Sequence, residues 1–229
     1  MQKNKAFIIS LGGSLIVPKD GIDWKFLKNL RKLILDQIKM GRQFFIITGG
    51  GATCRNYNDA ASKVIKVAPE DLDWLGIHAT RLNAHLLRTI FFDVANPEVI
   101  KNPTFRLATN KNVMIAGGWK PGWSTDYVAT MIAQEYEVKT VINLSNIDYA
   151  YDKDPRKYKD AKKIEKIGWE DFRKLVGDKW IPGMNVPFDP IASQKAQTLG
   201  LEVVIMNGKN LSNLKKCLEG KKFDGTVIN

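Results

Sequence analysis

The residues of this chain best placed to do chemistry are glycines at the ends of short β-like runs. Ala6-Phe7-Ile8-Ile9-Ser10-Leu11 leads into Gly12-Gly13-Ser14, and Phe44-Phe45-Ile46-Ile47-Thr48 leads into Gly49-Gly50-Gly51. Val113-Met114-Ile115-Ala116 leads into Gly117-Gly118, followed by Pro121-Gly122-Trp123-Ser124-Thr125-Asp126. Glycine lets a backbone approach a ligand closely and present its N–H groups, and a following helix start adds partial positive charge. Ligands of open parallel sheets sit outside the carboxyl ends of the strands. Turns at several such ends can therefore converge on a group rich in phosphate, the chemistry of phosphoryl transfer. A single Gly-Gly pair is more often plain turn punctuation; the succession carries the argument. The motifs G-x-x-x-x-G-K-[ST] and G-x-G-x-x-G are absent, which disfavours a P-loop kinase and a dinucleotide dehydrogenase.

Several side chains stand close to these turns in sequence. Arg55, one helical turn beyond Gly51, can reach back to a phosphate in a forked contact, or pair with Asp59 at i+4. Asp73, Thr80 and Asn83 recur at steps of seven and three, which puts them on one helix face. Such a polar strip in an apolar helix is either a ligand edge, with Asp73 accepting from ribose hydroxyls, or a hydrogen-bonded subunit contact. Ser124-Thr125-Asp126 can cap a helix or hold phosphate through hydroxyls and N–H groups. His78 and His85 lack the cysteine or carboxylate spacing of a metal site and read as packing or surface residues. No residue is assigned as a metal ligand.

The elements that must position these groups follow from periodicity. Asp23 to Met40 reads as an amphipathic helix, with Phe26, Leu27, Leu30, Leu33, Ile34 and Ile38 at helical spacing and Gly41 at its end. Ala52 to Lys66 and Pro69 to about Phe92 read as further helices. This β-α-β-α opening predicts a parallel sheet covered by helices. Ala95 to Asn112 reads as a short strand and helix without firm boundaries. Beyond it come a strand at Val113–Ala116, a helix capped by Ser124, and a strand at Val138–Leu144. A polar loop spans Asn146 to Lys162, a helix Trp169 to Val176, and a loop Gly177 to Pro187. A helix from Asp189, a strand at Leu201–Met206, a helix at Leu211–Leu218 and a last strand at Gly225–Ile228 complete the chain.

Hydrophobic residues make up 44% of the 229, enough for a sizeable core, and the apolar stretches are strand-sized rather than membrane-spanning. The run behind Met1–Lys5 stops at Gly12-Gly13, too short for a signal peptide. Cys54 and Cys217 are the two cysteines, without C-x-x-C spacing, and read as reduced thiols in a cytoplasmic protein. A net charge of +11 raises the question of nucleic acid. The basic residues are interleaved with acids, as in Lys153-Asp154-Pro155-Arg156-Lys157, and no RNA-binding motif or zinc spacing accompanies them. Attraction for small anions is the better reading; neither nucleic-acid nor membrane binding is expected.

Taken together, these residues resemble the amino-acid kinase superfamily and, within it, the archaeal type of uridylate (UMP) kinase. The resemblance runs through Gly12-Gly13-Ser14, Gly49-Gly50-Gly51 with Arg55, Ala79-Thr80-Arg81-Leu82-Asn83-Ala84, and Gly117-Gly118 with Ser124-Thr125-Asp126. It continues through Tyr151-Asp152-Lys153-Asp154-Pro155, Phe188-Asp189-Pro190 and Gly225-Thr226-Val227-Ile228. It implies an α/β fold, a three-layer α/β/α sandwich with a mainly parallel sheet, forming a single domain over residues 1–229. The part to about residue 110 would serve the acceptor and oligomerisation, and the part from about 111 mainly ATP. The implied activity is transfer of the ATP γ-phosphate to UMP, with Mg²⁺, in pyrimidine nucleotide biosynthesis, by a homohexamer built as a trimer of dimers.

Carried over by position, Gly12, Gly13, Ser14, Gly51 and Arg55 would contact ATP phosphates, while Ser145, Asn146, Tyr151 and Asp154 would wall the ATP nucleoside. Gly50, Asp73, Trp119, Lys120, Pro121, Gly122, Trp123, Ser124 and Thr125 would hold UMP. Arg55, Asp126 and Lys195 would be catalytic, Asp126 orienting the metal shell or a lysine. Ser10 stands where many family members carry a strand-one lysine, so Lys195 or Lys19 is expected to supply that charge. Tyr149 replaces a usual glycine, and Trp119 and Trp123 occupy positions more often polar. The alternatives are another small acceptor (a carboxylate, carbamate or isoprenoid phosphate) and a non-catalytic relative that binds nucleotide or oxyanion.

Overall fold

The structure, a computed structural model, describes residues 5–155, 157–179 and 186–229. The chain runs β1 (Lys5–Leu11), α1 (Gly13–Ile16), α2 (Trp24–Ile38), β2 (Arg42–Thr48), α3 (Gly51–Val64), α4 (Pro69–Ile90) and β3 (Val113–Ala116). It continues α5 (Thr125–Glu135), β4 (Thr140–Ser145), β5 (Ala150–Tyr151), β6 (Lys163–Ile164), β7 (Lys166–Ile167) and α6 (Trp169–Val176). Last come α7 (Pro190–Thr198), β8 (Glu202–Asn207), α8 (Leu211–Leu218) and β9 (Thr226–Ile228).

Among the described residues, seven strands form one sheet in the order β3-β2-β1-β4-β8-β9-β7. Its neighbours are parallel except where β9 runs against β8. The long strands are buried over most of their length, as strands covered on both faces must be. Alternation sends Ile9 and Ile46 to one face, where they meet Leu30 and Ile34 of α2, Leu87 of α4 and Leu214 of α8. Ile8 and Ile47 point the other way, onto Val128 and Ile132 of α5, Phe172 of α6 and Ala196 of α7. The expected three-layer α/β/α sandwich is thus present.

Capping fixes where the helices begin. The Asp23 carboxylate accepts from Phe26 N at 2.9 Å, Ser124 Oγ from Tyr127 N at 3.1 Å and Asp189 Oδ1 from Ala192 N at 2.7 Å. The segment from Ala95 to Asn112 forms neither the strand nor the helix expected. It runs beside β3 through two isolated parallel bridges, Ala95 to Val113 and Ile100 to Ala116. Pro97 and Pro103 interrupt it, and proline has no N–H to continue a ladder. The short α1 and the two-residue β5–β6 hairpin lack the length to leave a periodic signal. Part of the expected Gly177–Pro187 loop, residues 180–185, lies outside the described residues.

After β1 the chain builds outward on one side through β2 and β3, then returns to place β4 on the other side of β1. The strand order therefore reverses at β1, where open α/β sheets leave a crevice at the carboxyl ends.

Candidate active site

A cavity of about 660 Å³ opens in that crevice. Gly12, Gly13, Thr125, Asp126, Ser145, Asn146, Tyr151 and Asp154, all expected at the site, line it together. Ser10, Gly49, Asn143 and Lys153 line it as well.

The first two glycine turns form its floor by packing backbone on backbone. A Cβ on Gly13 would stand 2.1 Å from the Gly51 nitrogen and 2.6 Å from the Gly49 carbonyl carbon. A Cβ on Gly49 would stand 2.5 Å from the Gly13 nitrogen. Gly51 adds a left-handed φ of +64°, which only glycine adopts at ease. Gly12 N donates to Leu144 O at 2.8 Å and Gly49 N to Leu11 O at 2.9 Å, tying both turns to the strand ends.

Helix α4 fastens the second and third turns. Asn83 Nδ2 donates to Gly49 O at 2.8 Å and Gly50 O at 3.2 Å. Thr80 Oγ1 accepts from Gly118 N at 2.7 Å while donating to Ile77 O at 2.6 Å. Arg81 reaches Gly118 O at 3.1 Å through Nε and Trp119 O at 2.8 Å through Nη2. Asp73 Oδ2 accepts from Gly122 N at 2.8 Å. The polar strip of α4 therefore holds backbone, and Thr80 and Asn83 are buried beneath the turns that they fasten. Arg81 was legible as part of Ala79-Thr80-Arg81-Leu82-Asn83-Ala84, but nothing in its spacing announced a clamp on the third turn.

That turn carries an aromatic stack. The Trp119 and Trp123 ring centres lie 6.2 Å apart, and Trp123 and Tyr127 lie 4.0 Å apart. Lys120 Nζ stands 4.3 Å from the Trp119 ring centre. At the turn's end, Asp126 accepts from Ser10 Oγ at 2.9 Å and from Asp189 N at 3.3 Å. Burial pushes the Asp126 carboxyl up to about 6, opposed by the Ser10 hydrogen bond and reinforced by the nearby Asp189 carboxylate. Asp189 is itself raised by burial, against the amides of its own helix start. Ser10 thus occupies the strand-one lysine position as a hydrogen-bond donor to Asp126.

The expected cations stand elsewhere. Arg55 is exposed at the start of α3, and its alternative partner Asp59 is engaged by Lys63 at 2.6 Å. Lys195 is half-buried on α7 and Lys19 is exposed; neither lines the cavity. Among the described lining residues the cation is Lys153, which pairs with Asp160 at 2.6 Å and lies 5.4 Å from the Tyr158 ring centre. Lys153 lies within the Tyr151–Pro155 motif, where its spacing alone points to no role. Ser14 is half-buried in α1, and Gly50 and Gly51 join the site through the floor contacts described above.

A parallel sheet with glycine turns gathered at its switch point, and no P-loop, defines an α/β protein built to hold phosphate groups. The chain belongs to the Amino acid kinase family, whose profile matches residues 5–207. It is 33% identical to the uridylate kinase of Thermoplasma volcanium over 98% of both chains. It is 32% identical to that of Methanospirillum hungatei, over 96% of this chain and 93% of the relative. The crystal structure of uridylate kinase from Archaeoglobus fulgidus superposes with a TM-score of 0.80 at 27% identity, covering 97% of this chain and 99% of that one. The UMP kinase of Bacillus anthracis, at 23% identity and a TM-score of 0.79, shares the fold.

Proposed function

We propose that this protein is a uridylate kinase, transferring the γ-phosphate of ATP to UMP to give UDP. The observation that carries the reading is the meeting of the first two glycine turns and the third turn's Thr125 and Asp126 in one cavity, in a chain similar over almost its whole length to archaeal uridylate kinases. Phosphoryl transfer needs positioning and charge neutralisation more than an acid or a base, because the acceptor phosphate is already a nucleophile. Backbone amides, Arg55 and the cavity cation Lys153 are suited to that task.

Gly12, Gly13, Ser14, Gly51 and Arg55 hold the ATP phosphates in this proposal, and Ser145, Asn146, Tyr151 and Asp154 enclose its nucleoside. Gly50, Asp73 and the segment Trp119 to Thr125 hold UMP, Asp73 offering its second oxygen to the ribose. Lys195 remains our proposal for the charge missing at Ser10, acting on the nucleotide-loaded enzyme. Among the described residues no cluster of three or more His, Cys, Asp or Glu could hold a metal alone. Asp126, one of four aspartates that line the cavity, does fit Mg²⁺ that is carried chiefly by phosphates and water. Bound Mg²⁺ would neutralise phosphate charge.

We further propose a homohexamer, a trimer of dimers, whose subunits meet through α3 and α4. Tyr57, Val64 and Leu82 on these helices are 63%, 82% and 63% exposed, an apolar load that a neighbouring copy would cover. None of the described helices is long and apolar enough to cross a membrane, and we assign the protein to the cytoplasm. The test is ADP release from ATP and Mg²⁺ with UMP, CMP, isopentenyl phosphate and acetylglutamate offered in turn. UMP is expected to be the preferred acceptor; equal or greater turnover with a carboxylate or an isoprenoid phosphate would replace this reading.

A further inference from the structure

Tyr149 lines the cavity. Its hydroxyl donates to Asp224 Oδ1 at 2.9 Å. Asp224 is held in turn by Asn213 of α8, which donates to its carbonyl at 2.6 Å and accepts from its amide at 2.8 Å. The next residue is fixed too, since Ala150 N donates to Thr226 Oγ1 at 2.8 Å. Lys163 Nζ stands 4.8 Å from the Tyr149 ring centre without itself lining the cavity, and is paired with Glu165 at 2.7 Å. The ring is therefore clamped at its hydroxyl and attended by a cation outside the cavity, on a residue that lines it. Such a ring is preorganised to receive a planar group, because little rotamer freedom is left to lose on binding.

We propose that the Tyr149 ring is the stacking surface for the base of the phosphoryl donor, recognising it by its face rather than by a hydrogen bond. The hydroxyl is committed to Asp224, so the phenol offers the base its π surface, and a purine has the larger face to stack on it. The proposal rests on the kinase reading above, and it is tested in a way that separates the two.

Three variants are compared by direct titration with ATP in the absence of acceptor, and by steady-state kinetics with UMP. Tyr149→Phe keeps the ring and loses the Asp224 bond, Tyr149→Leu keeps apolar bulk and loses the ring, and Tyr149→Ala removes both. Leucine and alanine are expected to weaken ATP binding and raise KM for ATP about ten-fold, the worth of one aromatic–base stack. Phenylalanine should stay within about two-fold of the parent, with KM for UMP and kcat little changed in all three. Inorganic tripolyphosphate, which has no base, should bind parent and Leu variant alike. Equal weakening by Phe and Leu, equal weakening of tripolyphosphate, or unchanged ATP binding in the Leu variant would each overturn the proposal. Failure of the kinase reading is a different result: ATP titrates normally, yet UMP yields no product.

Discussion

The two halves of the site are built by different means. The first and second glycine turns touch backbone to backbone, with Gly13 wedged against the Gly49–Gly51 triplet. The third turn is suspended from α4 by the side chains of Thr80, Arg81 and Asp73. Backbone contact leaves no room for a Cβ, so the first half is fixed in residue type as well as in shape. In the third turn a Cβ is refused at Gly117, 2.9 Å from Arg81 Cγ, and crowded at Gly118, 3.0 Å from Thr80 Oγ1, but beyond them side-chain suspension fixes the path of the loop more than its residue types. That is where this chain carries Trp119 and Trp123, and it is the half assigned to the acceptor.

The comparison is broken most severely at Gly13. Gly13→Ala drives a methyl to 2.1 Å from the Gly51 nitrogen, with backbone on every side. We expect a loss of about 3 kcal/mol or more in chemical denaturation, and no measurable turnover.

Thr80→Val comes next. It strands the Gly118 amide, which now donates to a buried hydroxyl, at a cost of about 2 kcal/mol. Because the damage falls on the third turn, KM for UMP should rise several-fold more than KM for ATP. Equal rises would mean that the halves do not divide donor from acceptor.

Asp126 sharpens the comparison at the point where the halves meet. Its carboxyl titrates near 6 when folded, against an ordinary 3.8, so between those values the folded state binds the proton more tightly than the unfolded one. The stability it contributes is present at low pH and is lost as pH rises through about 6. Measured by thermal melting, the parent should fall relative to Asp126→Asn between about pH 4 and 7, with no further divergence above that range.

The smallest effect is expected at Gly122. Its φ is +82°, yet a Cβ there would meet nothing within 4 Å. Gly122→Ala should cost about 1 kcal/mol of conformational strain and leave turnover nearly intact. Two glycine-to-alanine changes in one site would then differ several-fold for a single reason, contact.

Much of this was legible in the sequence. Trp169–Val176 and Leu211–Leu218 are helices to the residue, and the glycine turns do lie at strand ends, with Gly12, Gly13 and Gly49 lining one crevice beside Thr125 and Asp126. What the glycines touch was not legible. Gly13 reads the same whether its missing side chain makes way for a phosphate or for another turn. Thr80 and Asn83 form the same polar strip whether they face a ligand or a carbonyl. The parts played by Lys153 and Tyr149 were not legible for a related reason: they sit in a loop whose two-residue strands have no period, and the fold alone brings them to the cavity wall.

The central claim is chemical, and ³¹P NMR of a mixture of the protein with ATP, Mg²⁺ and UMP tests it most directly. The account predicts that the UMP resonance is replaced by the paired α and β resonances of UDP as ATP becomes ADP. ATP breakdown to ADP and free phosphate with UMP unchanged, or no reaction at all, would contradict it.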